Sequence, residues 1–414
     1  MTLAFLVLRK GFLKVVGATI QAALERGHRA VLVWDPVEPK PGEAVTDVDL
    51  AAWPDATSIV WTRGTPLLPL LQSASVDALV APSLYYVLRA TVGEDGIAAL
   101  GRAGIGLYSV DYVFETVTSE PEAYRVVDVT FYMSTFQREL HYRLYAERFA
   151  ALGPPATLAA RSAISGSTML DQLAIVDRAA VRKRYGLAPD QPVVVFMSLK
   201  MAVPDPWRRL VWGASPRGWR ALKALASGRV SWLPEILRGS GYSTLVNALS
   251  GFCARTGAAL IVKSREKNED PRFLRRVADV FVYDEAVYPY TSMELMAIAD
   301  LCIHFQSGAV LEAAFVGVPS LSIAVSQEHL REYSSFDEAY GGREGSLQNF
   351  AGVVWHDDPV GAAARLGRAT FDDFRLDPAA HRRYVEKFLG FSDTDSSVRV
   401  LRTIEAALSA PRRA

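Results

Sequence analysis

Residues 284–319 read DEAVYPYTSMELMAIADLCIHFQSGAVLEAAFVGVP. The apolar run ending at Phe305 has the length and composition of a buried strand. Gln306-Ser307-Gly308 breaks it, and a helical period follows. A strand entering a helix through a Ser-Gly turn directs backbone N–H groups and the positive dipole end at the carboxyl edge of a sheet, which suits an anion. Ser307 is placed to cap, and Gly308 lets a phosphate come close to the backbone. Glu312 lies four residues beyond Gly308, on the same helix face one turn deeper. A carboxylate there repels a bare phosphate but accepts hydrogen bonds from ribose hydroxyls. The expected ligand is a nucleotide diphosphate lying across Ser307, Gly308, Ala309 and Glu312. The plainer alternative is a simple helix start with Glu312 on the surface.

The pattern extends in both directions. Apolar runs 3–8, 30–34, 58–61, 77–81 and 129–133 alternate with helix-period segments, the clearest being 14–26. A second series follows at 192–198, 258–263, 279–284, 300–305, 319–325 and 352–355. Continuous β-rich runs separated by helices mean parallel strands buried on both faces. The expected fold class is therefore α/β with two Rossmann-like domains. The turn-rich ISGSTMLDQ and the short charged segment ended by Gly186 and Pro189 mark the joint. This places an N-terminal domain over 1–165, a second over 166–375, and closing helices over 376–414.

The chain has 414 residues, half of them hydrophobic and 22% charged, which excludes wholesale disorder. Lys plus Arg and Asp plus Glu are both 45, so bulk electrostatic binding to nucleic acid is not expected. Cys253 and Cys302 form no disulfide framework. His28, His141, His304, His329, His356 and His381 are scattered without a zinc spacing, so no metal is expected. His28 opens a strand and reads as structural; His141 sits on a polar helix and reads as solvated. The apolar start is broken by Arg9 and Lys10, and no run is long enough to span a bilayer, so a cytoplasmic protein is expected. Residues 201–240 carry four of the eight tryptophans and seven basic residues against two acidic ones. That mixture suits a membrane surface or a stacking surface for sugars, or else an excursion that buries its own aromatics.

Taken together, these stretches resemble glycosyltransferases of the GT-B fold, near the UDP-N-acetylglucosamine 2-epimerase, CDP-glycerol glycerophosphotransferase and capsular polysaccharide groups. The likeness rests on Ala299-Asp300, Ser307-Gly308, Glu312-Ala313 and Gly317-Val318-Pro319, in that order. RGHRAVLVW (26–34) is similar to the second strand of the amino-terminal domain, ISGSTMLDQL to the interdomain hinge, and FLGFSDTDSSVRVL (388–401) to a closing helix of surface-carbohydrate enzymes. The resemblance implies two domains facing across a cleft, with a nucleotide-sugar donor held by the second.

The same resemblance implies roles for further residues. Lys10, Gly11 and Phe12 would form an acceptor-side loop; no GxGxxG follows the first strand, so a dinucleotide fingerprint is not supported. Ser198 and Lys200 follow the first strand of the second domain, where Lys200 would neutralise a leaving diphosphate. Lys263 and Arg265 only partly match the basic step of related polymer enzymes; Arg265 would hold a phosphate or pair with Glu266 or Asp270. Asp284 and Tyr288 fall where a base-binding loop is expected, with Tyr288 stacking on a nucleobase or packing in the loop. Asp111 and Glu115 are the candidates for a general base, which an inverting transferase needs and a retaining one does not.

The leading expectation is a glycosyltransferase acting on a glycan or lipid-linked acceptor, without a cofactor or required metal and peripheral at the inner membrane face. Three rivals stand beside it. An epimerase is weakened by SLKMAVPDP where a His-Arg-x-x-Asn step belongs, and a polyol-phosphate transferase by the lack of an amino-terminal His-Gly motif. A nucleotide-sugar-binding protein without catalysis is the third.

Overall fold

The computed structural model describes residues 1–37, 42–110, 121–152, 159–198, 241–264, 274–283, 286–324 and 342–410. The chain forms two compact units. The first comprises Met1–Arg178, Asp284–Ala297 and Arg382–Ala414; the second comprises Ala179–Tyr283 and Ile298–His381.

The first unit is built on a parallel seven-stranded sheet of order β3-β2-β1-β4-β5-β6-β7. Its strands are β1 (Thr2–Val7), β2 (Arg29–Trp34), β3 (Thr57–Val60), β4 (Ala78–Pro82), β5 (Gly106–Val110), β6 (Val129–Tyr132) and β7 (Ser162–Ile164). β1 and β4 are buried along their whole length, as strands covered on both faces must be. The helix Lys10–Glu25 lays Phe12, Leu13, Val16, Ile20 and Ala23 into this core.

Two elements of this unit lie outside the apolar-run pattern. β5 reads GLYSV, where Gly106 and Ser109 interrupt the run, and β7 has only three residues. The closing helix Ser396–Ser409 returns to this core through Val400, Leu401 and Ile404. Asp171 caps it from outside, accepting from Ser396 N at 3.2 Å and Ser397 N at 2.6 Å. Arg399 donates to the Ser165 carbonyl at 2.7 Å, so hinge-like and closing-helix-like segments are tied together.

The second unit repeats the plan with six parallel strands, in order β10-β9-β8-β11-β12-β13. They are β8 (Val193–Met197), β9 (Ala259–Lys263), β10 (Val280–Val282), β11 (Leu301–His304), β12 (Ser320–Ile323) and β13 (Val354–Asp357). One face carries Val194, Phe196, Leu260, Val262, Leu301, Ile303, Leu321 and Ile323. It is covered by the helices Gly241–Thr256 and Pro359–Arg368 through Leu245, Leu249, Phe252, Ala362 and Leu366.

The opposite face is different. Strand register aligns Lys263, Met197, His304, Ser322 and His356 side by side across β9, β8, β11, β12 and β13. Paired residues in a parallel ladder share a face, so a polar row crosses the carboxyl end of this sheet. The rung two residues earlier is Ile261, Val195, Cys302, Ser320 and Val354.

Candidate functional site

Both sheets reverse strand order beside their first strand, at β1/β4 and at β8/β11. Open parallel sheets present a crevice at such a switch point, outside the carboxyl ends of the strands. In the second unit this edge is made by Ser198 after β8, Lys263 and Ser264 at the end of β9, and the turn from Phe305 to Gly308 after β11.

Each residue of that edge is held by its local structure. Ser198 is buried and its N–H donates to the Lys263 carbonyl at 3.1 Å, continuing the ladder by one residue. Lys263 is 5% exposed, and its Nζ donates to the Ser264 carbonyl at 2.8 Å. The chain leaves β11 through Gln306 at φ +38°, a left-handed conformation that costs a non-glycine residue roughly 1–2 kcal/mol. Ser307 Oγ accepts the Ala309 N–H at 3.1 Å, and the N-cap position of the helix that follows is occupied by Gly308. Gly308 is exposed, and among the described residues beyond its chain neighbours nothing lies within 4 Å of where a Cβ would stand.

The helix Ala309–Phe315 ends at Gly317, whose φ of +74° suits glycine. Gly317 N–H bonds to Ala314 O and Val318 N–H to Ala313 O, and Pro319 then leads into β12. The Gly-x-Pro step is thus a helix terminator that aims the chain back at the sheet.

Glu312 is 3% exposed, and burial, then the Glu312 charge, holds the Cys302 thiol above its usual range. Its carboxylate therefore lies towards the sheet, not on the surface of the helix. His304, next to the turn, is fully buried. Burial, then the neighbouring His356, push its pKa down to about 3, so the ring is neutral. His304, Ser322, His356 and Gln348 were not singled out by the sequence. Each looks like an isolated polar residue, and only strand register brings the first three together.

The remaining candidates fall elsewhere. Lys10, Gly11 and Phe12 form the first turn of the helix Lys10–Glu25, not a loop. Lys10 Nζ stands 3.6 Å from Asp49, and Phe12 is in the core. Tyr288 belongs to the first unit, with its ring 5.0 Å from Trp53 and against Gly17; burial pushes its hydroxyl pKa up to about 12. Gln172 fastens that segment by accepting from Tyr290 N at 2.8 Å and donating to the Lys14 carbonyl at 2.6 Å. His141, expected in solvent, is buried and its Nδ1 is 2.5 Å from Tyr132 Oη; Tyr145 and Phe149 pack on its ring. The polar sequence of its helix hid an aromatic pocket supplied by neighbouring segments. Asp111, Glu115, Lys200, Arg265, Asp284 and the 201–240 segment lie outside the described residues.

Among the described residues, no group of three or more His, Cys, Asp or Glu side chains is placed to hold a metal ion. No helix among them is long and apolar enough to cross a membrane.

No protein-family model and no curated protein matches the sequence. Solved structures do match. The UDP-GlcNAc 2-epimerase from Methanocaldococcus jannaschii aligns with TM-score 0.57 at 10% identity, over 98% of this chain and 100% of that one. The wall teichoic acid polymerase TagF aligns with TM-score 0.55 at 10% identity, over 99% and 89%. UGT89C1 of Arabidopsis thaliana, complexed with UDP-L-rhamnose, aligns with TM-score 0.54 at 12% identity, over 99% of each. At such identities the likeness establishes the fold: this is a two-domain α/β chain of GT-B architecture. The proteins that share the fold here are enzymes, and some were solved with UDP or UDP-sugars bound.

Proposed function

We propose that this protein is a nucleotide-sugar-dependent glycosyltransferase, moving a sugar to a surface polysaccharide or glycolipid acceptor of the cell envelope. The observation that supports it most is the switch point of the second sheet. There an open Ser307-Gly308 turn after β11 shares the carboxyl edge with Ser198 after the neighbouring β8 and, one strand further along, the buried Lys263 at the end of β9. In this reading the donor diphosphate lies over Gly308. Lys263, together with Lys200 and Arg265 from the sequence, neutralises the charge that grows on the leaving phosphate. Asp111 or Glu115 serves as base if the reaction inverts configuration. Tyr288 would act on the acceptor side, since it packs in the first unit. The Trp- and Arg-rich 201–240 segment meets a lipid-linked acceptor at the membrane surface; absence of the protein from membrane fractions would remove that part.

Calorimetry with UDP, GDP, CDP, CMP and ADP tests the donor site. Gly308→Val adds a side chain where, among the described residues beyond its chain neighbours, no atom stands within 4 Å, and at a φ of −61° that valine tolerates. It is expected to leave the thermal midpoint unchanged and to weaken the nucleotide that binds wild type by at least tenfold. Unchanged affinity sinks the assignment. Glu312→Gln separates two roles for the buried carboxylate. A ribose contact predicts about 1–3 kcal/mol weaker binding, whereas a carboxylate serving only the sheet predicts none. Release of free nucleotide from the donor upon adding acceptor then distinguishes a transferase from a binding protein.

A further inference from the structure

The polar row of the second sheet is expensive to bury, and two of its members lead to a single residue, His304 directly and Ser322 through Gln348. His304 Nδ1 accepts the Ser307 N–H at 3.3 Å. Gln348, fully buried, donates from Nε2 to the Ser307 carbonyl at 3.3 Å and accepts from Ser322 Oγ at 2.8 Å. Proton assignments follow from the partners. A backbone N–H only donates, so His304 Nδ1 is unprotonated and the ring proton sits on Nε2. A carbonyl only accepts, so the Gln348 amide nitrogen faces Ser307 and its oxygen faces Ser322.

Both backbone polar groups of Ser307 are therefore gripped by side chains from beneath, while its Oγ is committed to Ala309 N. The neighbouring Gln306 is held in a left-handed conformation that a free loop would abandon. His304 Nε2, in contrast, is buried with no hydrogen-bond partner among the described residues. A leucine or valine would avoid that cost. A core position that retains an unsatisfied donor is expected to serve through its other nitrogen.

We propose that His304 and Gln348 are positioning residues for the nucleotide donor: they fix the Ser307-Gly308 turn in its ligand-receiving shape before the ligand arrives. The inference rests on the donor-site reading above. A turn ordered in advance spares the ligand the ordering cost, which otherwise subtracts from affinity. Ser322, through Gln348, sets the third point of support. None of the three touches the ligand.

The test uses the full chain and the members of the UDP, GDP, CDP, CMP and ADP panel that bind wild type. His304→Leu removes the acceptor for Ser307 N–H. His304→Asn keeps an acceptor at the Nδ1 position, and Gln348→Met removes the second grip at similar volume. Dissociation constants, thermal midpoints and amide exchange of a peptide spanning 305–310 are measured together. His304→Leu and Gln348→Met are expected to weaken binding about tenfold and to speed exchange of the peptide, with midpoints within a few degrees of wild type. His304→Asn is expected to restore binding to within about threefold.

Should His304→Leu fail to fold, the Gln348→Met and His304→Asn pair decides the matter by the same readings. Wild-type affinity and exchange in folded His304→Leu or Gln348→Met overturn the inference while leaving the donor site standing. Loss of binding that tracks a fallen midpoint, with no rescue by asparagine, marks a merely structural role and also overturns it. If wild type binds none of the nucleotides, the donor reading itself fails, and this inference fails with it.

Discussion

The two sheets share a strand order around the switch point and differ in what they carry at its edge. In the first, the rung at the carboxyl end pairs Val7 with Trp34 and Val60 on one side, and Pro82 with Val110, Phe131 and Ala163 on the other. The side chains are apolar throughout. Hydroxyls occur one residue earlier, at Ser109, Thr130 and Ser162, and none of them ionises near neutral pH. In the second sheet the matching rung is Lys263, Met197, His304, Ser322 and His356. The same topology thus supports an apolar last rung in one unit, with the Asp35–Arg63 pair beyond it, and a polar, partly ionisable rung in the other. An α/β sheet is a scaffold, and function resides in what the edge residues add to it.

If the apolar layers of the two sheets are equivalent, truncating either should cost the same. Phe5→Ala and Phe196→Ala, both fully buried, are each expected to lower the stability of their own unit by about 3–5 kcal/mol. Urea titration read by hydrogen exchange in each unit measures this. A cost below about 1 kcal/mol in one unit alone would break the equivalence.

Acid should pull the units apart. The His304 pKa is depressed from 6.5 to about 3, so its contribution is fully present above pH 6.5 and is lost as pH falls towards 3. Between pH 6.5 and 4.5 the second unit is expected to lose about 2 kcal/mol, the slope rising to roughly 1.4 kcal/mol per pH unit once the unfolded imidazole is protonated. His304→Asn should remove most of that slope.

Asp171 in the first unit has the opposite sign. Burial raises its pKa from 3.8 to about 6, despite the hydrogen bonds from Ser396 and Ser397 that favour the ionised form. Its stabilisation is full below pH 3.8 and is lost as pH rises through about 6. Lowering pH from 7 to 4.5 should therefore strengthen the first unit by about 2 kcal/mol through this group. Asp171→Asn should flatten the response. A wild-type pH profile identical in both units, unchanged by both substitutions, would contradict the comparison.

The smallest effect expected is at the surface. Arg375 and Asp372 are 3.2 Å apart but more than four-fifths exposed, so Arg375→Ala should change the stability of the second unit by less than about 0.5 kcal/mol. A larger loss would show that its surface charges are coupled to the polar row.

Much of the architecture was legible in the chain itself. The runs at LAFLVL, AVLVW, PVVVFMS and AALIVK are continuous and β-rich because strands buried on both faces have no polar side to display. The Ser307-Gly308 turn and the Gly317-Val318-Pro319 step could be read because caps and terminators act within a few residues of sequence. β5 was harder to see, since Gly106 and Ser109 break its run, and so was β7, which is too short to show a period.

Tertiary structure alone decided the rest. Lys263, His304, Ser322 and His356 become a row through strand register, which depends on pairing between distant segments and leaves no local trace. Burial of His141 and Glu312 came from side chains contributed elsewhere in the fold. The placement of 286–297 with the first unit is equally non-local, since Gln172 and Trp53 hold it there. Sequence by itself determined most of the strands, β5 and β7 apart, and that there are two series of them, because backbone preference and two-sided burial are written residue by residue. Which polar groups meet at the edge of the second sheet was decided only by the packed fold, because that meeting is a property of neighbouring strands and not of any one of them.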